Sequence, residues 1–139
     1  MSDKEFKKFD KTISNILNSS SGAASWSDLL SFLKELFTSL DKRKGDLNFA
    51  LLSDKTTLSK RLAQCLNPEN LAGVHESELK IYIILFENII SKNNGKLEDN
   101  LGIYSSGLFP FFSYASFQNK VFFIEKIVTT IFLNLVKMN

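Results

Sequence analysis

The chain has 139 residues, of which 44% are hydrophobic, enough for a single domain with a substantial core and an argument against global disorder. Its 17 basic and 15 acidic residues leave a net charge of only +2, so no whole-molecule field draws it to nucleic acid, and none is expected as a partner. Cys65 is the single cysteine; this rules out an internal disulfide and makes a reducing, cytoplasmic setting the simpler expectation.

The first residues carry Lys4, Glu5, Lys7 and Lys8 and so lack the apolar core of a secretory signal. Apolar residues recur mostly at helical spacing and not with the alternation of a half-buried strand, which predicts about six helices. The first is expected over 3–18, with Phe6, Phe9, Ile13, Ile16 and Leu17 on one stripe and Lys4, Lys7, Lys8 and Lys11 opposite. After the Ser/Gly/Ala stretch at 19–24, Ser25 and Asp28 offer oxygens to a new helix start at Trp26. The inward face of this second helix is expected to be Trp26, Leu29, Leu30, Leu33, Leu36, Phe37 and Leu40, with a charged surface loop at 41–46.

Asp54 is placed to cap a third helix carrying Leu58, Leu62, Cys65 and Leu66, and Pro68 ends it by pushing the preceding residue out of the helical region. A fourth is expected over 75–91, with His75 at its cap, Leu79, Tyr82, Ile83, Phe86, Ile89 and Ile90 inward, and Asn93, Asn94 and Gly95 as its stop. A fifth segment over 97–116 should split near Gly107, since Pro110 cannot extend an upstream amide ladder. The last helix, over 120–137, is apolar around nearly its whole circumference. Its core at 121–136 contains Glu125 and Lys126 and falls short of the roughly 20 apolar residues of a bilayer span, so it reads as a buried helix seeking neighbours on more than one side.

Antiparallel helix pairs joined by short polar turns fit either a bundle or a solenoid. With no sharp repeat, the solenoid form is an irregular HEAT- or armadillo-like α-α superhelix, and the apolar last helix favours it. The expectation is one all-α domain over 1–139.

Chemistry-bearing groups are scarce. There is one histidine, one cysteine, no CxxC, no glycine-rich phosphate loop and no paired metal ligands, so neither a metal nor a cofactor is expected. Cys65 and His75, across a proline turn, are the one arrangement resembling a thiolate and its base, but Cys65 lies on an apolar stripe, where a small hydrophobe belongs. The stripe Lys4, Lys7, Lys8 and Lys11 describes either a solvated face or a basic amphipathic helix for an anionic membrane. Lys42, Arg43 and Lys44, followed by Lys55, Lys60 and Arg61, would bind phosphate if they converged. Trp26, Tyr82, Tyr104 and the phenylalanines occupy stripe positions, which favours core packing over base stacking.

Three segments go beyond generic helix: Trp26-Ser27-Asp28-Leu29-Leu30; Lys60-Arg61-Leu62-Ala63-Gln64-Cys65-Leu66-Asn67-Pro68 with Gly73-Val74-His75; and Leu101-Gly102-Ile103-Tyr104-Ser105-Ser106-Gly107-Leu108-Phe109-Pro110. In order and spacing, with Tyr82 and Phe86 between them, they resemble the start of the Dopey family of large eukaryotic trafficking proteins. The resemblance runs over about 26–136. The chain departs from the family pattern at Glu78, where a small apolar residue is usual, and at Lys80, where an acidic one is. It also lacks a proline near Ser53 and Asp54 and a second proline in the turn before Gly73. These departures mark a divergent member, and the chain is shorter than the family's N-terminal region, either a truncation or a short relative.

The resemblance implies a helical scaffold without catalysis that helps move membrane proteins between endosomes and the Golgi, as a peripheral membrane protein. The partners it implies are an Arf-exchange-factor-like Golgi scaffold, a phospholipid flippase, kinesin light chain and phosphatidylinositol 4-phosphate. Arg61, Gln64 and His75 are expected to satisfy helix ends around the proline turn. Ser105, Ser106 and Gly107 are expected to bend the chain before Pro110, with Gly107 in a conformation costly to other residues. A free-standing chain of this kind is expected to dimerise through its apolar last helix.

Overall fold

The computed structural model describes residues 2–19, 25–45, 51–91, 102–103, 105, 107–131 and 133. Among the described residues there is no strand, and the all-α expectation holds. The helices are α1 (Asp3–Ser19), α2 (Trp26–Asp41), α3 (Lys55–Cys65), α4 (Ala72–Ser91), α5 (Leu108–Phe112) and α6 (Phe117–Phe122), the last continued by π-helical turns over Phe123–Val128.

The helices follow from their stripes and caps. On α1 the expected stripe is buried at Phe9, Ile13, Ile16 and Leu17, with Phe6 half-buried beside it, and Asp3 and Glu5 complement the positive end of the helix dipole. The α2 start is capped as its sequence predicts, by Ser25 Oγ accepting the Asp28 amide at 3.2 Å. Its inward face is rotated from the expected one. Leu33, Leu36 and Leu40 are buried and so is Phe32, whereas Trp26 is 56% exposed. Helix α2 touches both α1 and α4, so its buried arc widens toward Phe32, and its first residue lies beyond that cover.

At α3, Asp54 occupies the cap position but its side chain makes no capping bond. The helix ends at Cys65, before Pro68. Helix α4 begins earlier than expected, because the Leu71 carbonyl already accepts the amides of Val74 and His75 at 2.9 and 3.2 Å. His75 therefore lies inside the first turn of α4, buried, and is not its cap. This start has no serine, threonine or aspartate cap, so the sequence carries no local sign of it. The expected stop at Asn93, Asn94 and Gly95 lies outside the described residues. The chain does break at Gly107, and Pro110 is the third residue of α5, where its missing amide would have had no partner within the helix.

Five contacts fix the relative directions of α1 to α4. Arg43 approaches Glu5 at 3.9 Å, bringing the end of α2 to the start of α1. The end of α3 returns through 66–71 into α4, with His75 beside Asn67. The Ser53 amide donates to Asp10 Oδ1 at 3.0 Å and Arg61 reaches toward the Leu17 carbonyl at 3.5 Å, so α1 and α3 run the same way. Asn88 Nδ2 donates to the Lys44 carbonyl at 3.2 Å, so α2 and α4 do too. Two antiparallel hairpins thus lie side by side, joined most extensively along α2 and α4; this arrangement is compatible with a solenoid.

Helix α6 and its π-helical continuation pack on α4. Only one side is covered: Phe123 and Ile127 are buried, whereas Val121, Ile124 and Val128 are exposed, Ile124 by 50%. The expectation of a buried last helix therefore holds for one face and is corrected for the other, since no described element lies over it.

Candidate functional site

The densest polar chemistry lies at the turn from α3 to α4, where a helix end buried under other elements leaves carbonyls that need donors. The Gln64 carbonyl accepts the Asn67 amide at 3.1 Å. Asn70 Nδ2 donates to the Cys65 carbonyl at 3.0 Å, Tyr114 Oη to the Leu66 carbonyl at 2.6 Å, and His75 Nε2 to the Asn67 carbonyl at 2.9 Å. Because a carbonyl only accepts, this last contact places the proton on Nε2. Asn67 Oδ1 in turn accepts the Glu69 amide at 2.9 Å, holding the turn around Pro68. A longer tie comes from α6, whose Asn119 Nδ2 donates to the Ala72 carbonyl at 3.1 Å.

An aromatic wall closes the turn. The His75 and Phe111 rings meet edge-on with centroids 5.0 Å apart, and Phe111 meets Tyr114 in the same manner at 5.6 Å. One face of α5 is thereby pressed against the hairpin. Gly107 makes this possible by size: its φ of −95° is ordinary, which corrects the expected strained conformation. A Cβ built there would lie 2.9 Å from Ala63 Cβ and 3.1 Å from Ala63 Cα, so the glycine lets two backbones come close.

Beneath this wall lies Glu78, fully buried, with both carboxylate oxygens lacking a hydrogen-bond partner. Burial pushes its carboxyl well above the ordinary value of 4.5, because a buried site favours the protonated form. Cys65 is buried too. Its thiol is pushed far above its usual range, chiefly by burial and then by Glu78, with Arg61 opposing, the reverse of what activates a cysteine nucleophile. Tyr82 stacks on Phe86 with centroids 5.8 Å apart, and its hydroxyl is likewise raised by burial and by Glu78.

The other candidate residues are scattered. Gln64 and Pro68 are exposed, and Gly73 is exposed with nothing within 4 Å of its would-be Cβ. Ser105 is half-buried, and Tyr104 lies outside the described residues. Lys4, Lys7, Lys8 and Lys11 are all exposed. The apolar side of α1 is spent in the core, which removes the membrane-inserting face of an amphipathic helix. Lys42 and Lys44 are exposed at the end of α2, where Lys44 meets Asp41 at 3.2 Å and Arg43 meets Glu5 at 3.9 Å. Acidic residues interleave these basic ones. Among the described residues, no group of histidine, cysteine and acidic side chains is placed to hold a metal ion, and no helix is long and apolar enough to cross a membrane.

The sequence reading missed Asn70, Tyr114, Asn119 and the burial of Glu78. Asn70, soon after Pro68, carried a usable signal, because asparagine in a proline turn commonly bonds nearby backbone. Tyr114 and Asn119 find partners 48 and 47 residues away, and no local pattern reports that.

Two helical hairpins side by side, meeting at an aromatic-lined turn, define an all-α helical module. The Dopey N-terminal family model matches residues 3–138, and the chain belongs to that family. Protein DOP1B of Xenopus laevis is 36% identical over 116 residues, 84% of this chain and 5% of the relative. Protein DOP1B of Mus musculus is 34% identical over the same length and shares, and protein pad-1 of Caenorhabditis elegans is 30% identical over 118 residues, 85% of this chain and 5% of the relative. The chain thus spans about one-twentieth of the length of these relatives. No solved structure matches.

Proposed function

We propose that the chain is a non-catalytic scaffold module acting in membrane traffic between endosomes and the Golgi, by protein contact and peripheral attachment to the membrane. Membership of the Dopey family over 3–138 carries this reading. The fold is consistent with it, since the conspicuous polar groups of the turn serve helix ends, and Cys65 is buried with its thiol held protonated. The partners proposed are an Arf-exchange-factor-like Golgi scaffold, a phospholipid flippase and kinesin light chain. The same reading takes the chain as the first part of a longer α-α superhelix. The exposed stripe of Phe117, Val121, Ile124 and Val128 is then the surface on which further helices or a second copy stack.

A second reading, contact with an acidic phosphoinositide surface through Lys4, Lys7, Lys8, Lys11, Lys42, Arg43 and Lys44, is favoured by the exposure of the α1 lysines. With the apolar side of α1 buried, such contact would be purely electrostatic and screened over about 8 Å in physiological salt. One experiment separates the two. The protein, tagged at its own locus, is expected on Golgi or endosomal membranes, with recycling membrane cargo missorted when it is depleted. Lys7→Glu with Lys8→Glu should leave that distribution intact if protein contact dominates and disperse it if the lysines hold the membrane. A uniform distribution of the parent protein with normal cargo sorting would sink both readings.

A further inference from the structure

The parallel helices α2 and α4 leave between them a cleft of about 360 Å³ lined by Leu30, Leu33, Lys34 and Phe37 from α2 and Ser77 and Lys80 from α4. Its apolar lining is supplied by Leu30, Leu33 and Phe37. Both charged lining residues are lysines, one from each helix. Lys80 meets Glu76 at 3.9 Å with both side chains more than half exposed, a pairing worth little in water. The apolar line also continues past the cleft. Trp26, Leu30, Leu33 and Phe37 follow one another at helical spacing along α2, and Trp26, at the head of the line, is exposed. From Trp26 to Phe37 the line is roughly 16 Å long at the rise of an α-helix, or about three turns.

These features select among occupants. An enclosed pocket would suit a small molecule, whereas an open channel between two helices, extended by an exposed indole, suits a third helix laid along it. Helices that pack this way set leucine-like side chains into the channel and carry polar residues on either flank. Lysines from both walls call for carboxylates on those flanks, because opposite charges across a partly apolar groove fix register and favour encounter.

We propose that the α2–α4 cleft is a docking groove for an acidic amphipathic helix of a partner protein. The partner's apolar side chains lie on Leu30, Phe37 and Trp26, and its flanking carboxylates meet Lys34 and Lys80. The assignment rests on the scaffold reading and deepens it by naming the class of partner.

Trp26 is the only tryptophan of the chain, so its own emission reports on the groove. The probe is a tryptophan-free peptide of about 16 residues, long enough for four turns, with leucine at helical spacing and glutamate at the flanking positions. Titrated into the full chain, it is expected to shift Trp26 emission saturably to the blue. Lys34→Glu combined with Lys80→Glu should weaken binding at least about tenfold, with the helical circular dichroism of the chain unchanged. The same peptide with lysine for every glutamate should leave the emission unaltered. The proposal is overturned if the acidic peptide causes no saturable shift, if the double variant binds it equally well, or if only anionic vesicles of phosphatidylserine produce the shift. None of these results bears on where the protein resides or which cargo it sorts, so a failed groove and a failed scaffold reading are told apart.

Discussion

Gly107 and Ala63 share a space that holds only one methyl group. The backbone at Gly107 is one that any residue adopts, so the cost of a larger side chain there is steric. A Cβ would arrive 2.9 Å from that of Ala63, and because Ala63 belongs to α3, relief requires either α3 or the start of α5 to move. Overpacking of this kind typically costs about 1–3 kcal/mol. Gly107→Ala should therefore lower the urea midpoint by that order, and Gly107→Val by more. Ala63→Gly alone should cost about 1 kcal/mol as a glycine inside a helix, yet in combination with Gly107→Ala it should restore part of the loss, a favourable coupling read from a double-mutant cycle. Strict additivity of the two changes would show that the contact is not the reason for the glycine.

The elements divide by what holds them. Helices α1, α2 and α4 bury their own stripes, and their existence and approximate bounds were legible because helical periodicity is written into the sequence. Their rotation was less legible: Trp26 fits the α2 stripe by spacing, and only the positions of α1 and α4 decide that Phe32 is covered and Trp26 is not. The start of α4 was misread for a related reason, since it is made by the Leu71 carbonyl and not by a capping side chain. Helix α5, with five residues, is too short to persist through its own hydrogen bonds and depends on its anchors, Phe111 against His75 and the Tyr114 hydroxyl on the Leu66 carbonyl. Tyr114→Phe keeps the ring and removes the bond. It should cost on the order of 1 kcal/mol, the usual net worth of such a bond. In hydrogen exchange the loss should concentrate in the amides of α5 and the proline turn, with α1 unaffected. Equal loosening of α1 would mean that α5 is not a separately anchored element.

For the molecule as a whole, the least expected feature is an acid in the core. Composition and spacing placed Glu78 on α4 without revealing that its carboxyl is fully buried, where its ionised form would raise Cys65 on α3, Tyr82 on α4 and Tyr114 after α5. A carboxyl without partners costs less to bury neutral than ionised. Its folded value is thus raised above the ordinary 4.5, which fixes the sign of the pH dependence. Below the ordinary value both folded and unfolded chains hold the proton, and the stability linked to this group is fully present. Above it the unfolded chain releases the proton while the folded chain retains it, so stability falls as pH rises toward the folded value. The parent should therefore lose stability as pH rises above the ordinary carboxylate value of 4.5, at up to about 1.4 kcal/mol per pH unit. Glu78→Gln, of the same shape but without a titrating proton, should flatten that slope. Glu78→Leu should flatten it and also raise the midpoint near neutral pH, because it removes two oxygens that have no partner. Urea midpoints of the three proteins across rising pH test the point directly: parallel slopes for parent and Glu78→Gln would mean that the carboxyl reaches water or a counter-charge in the folded protein, and that the core tolerates it for another reason.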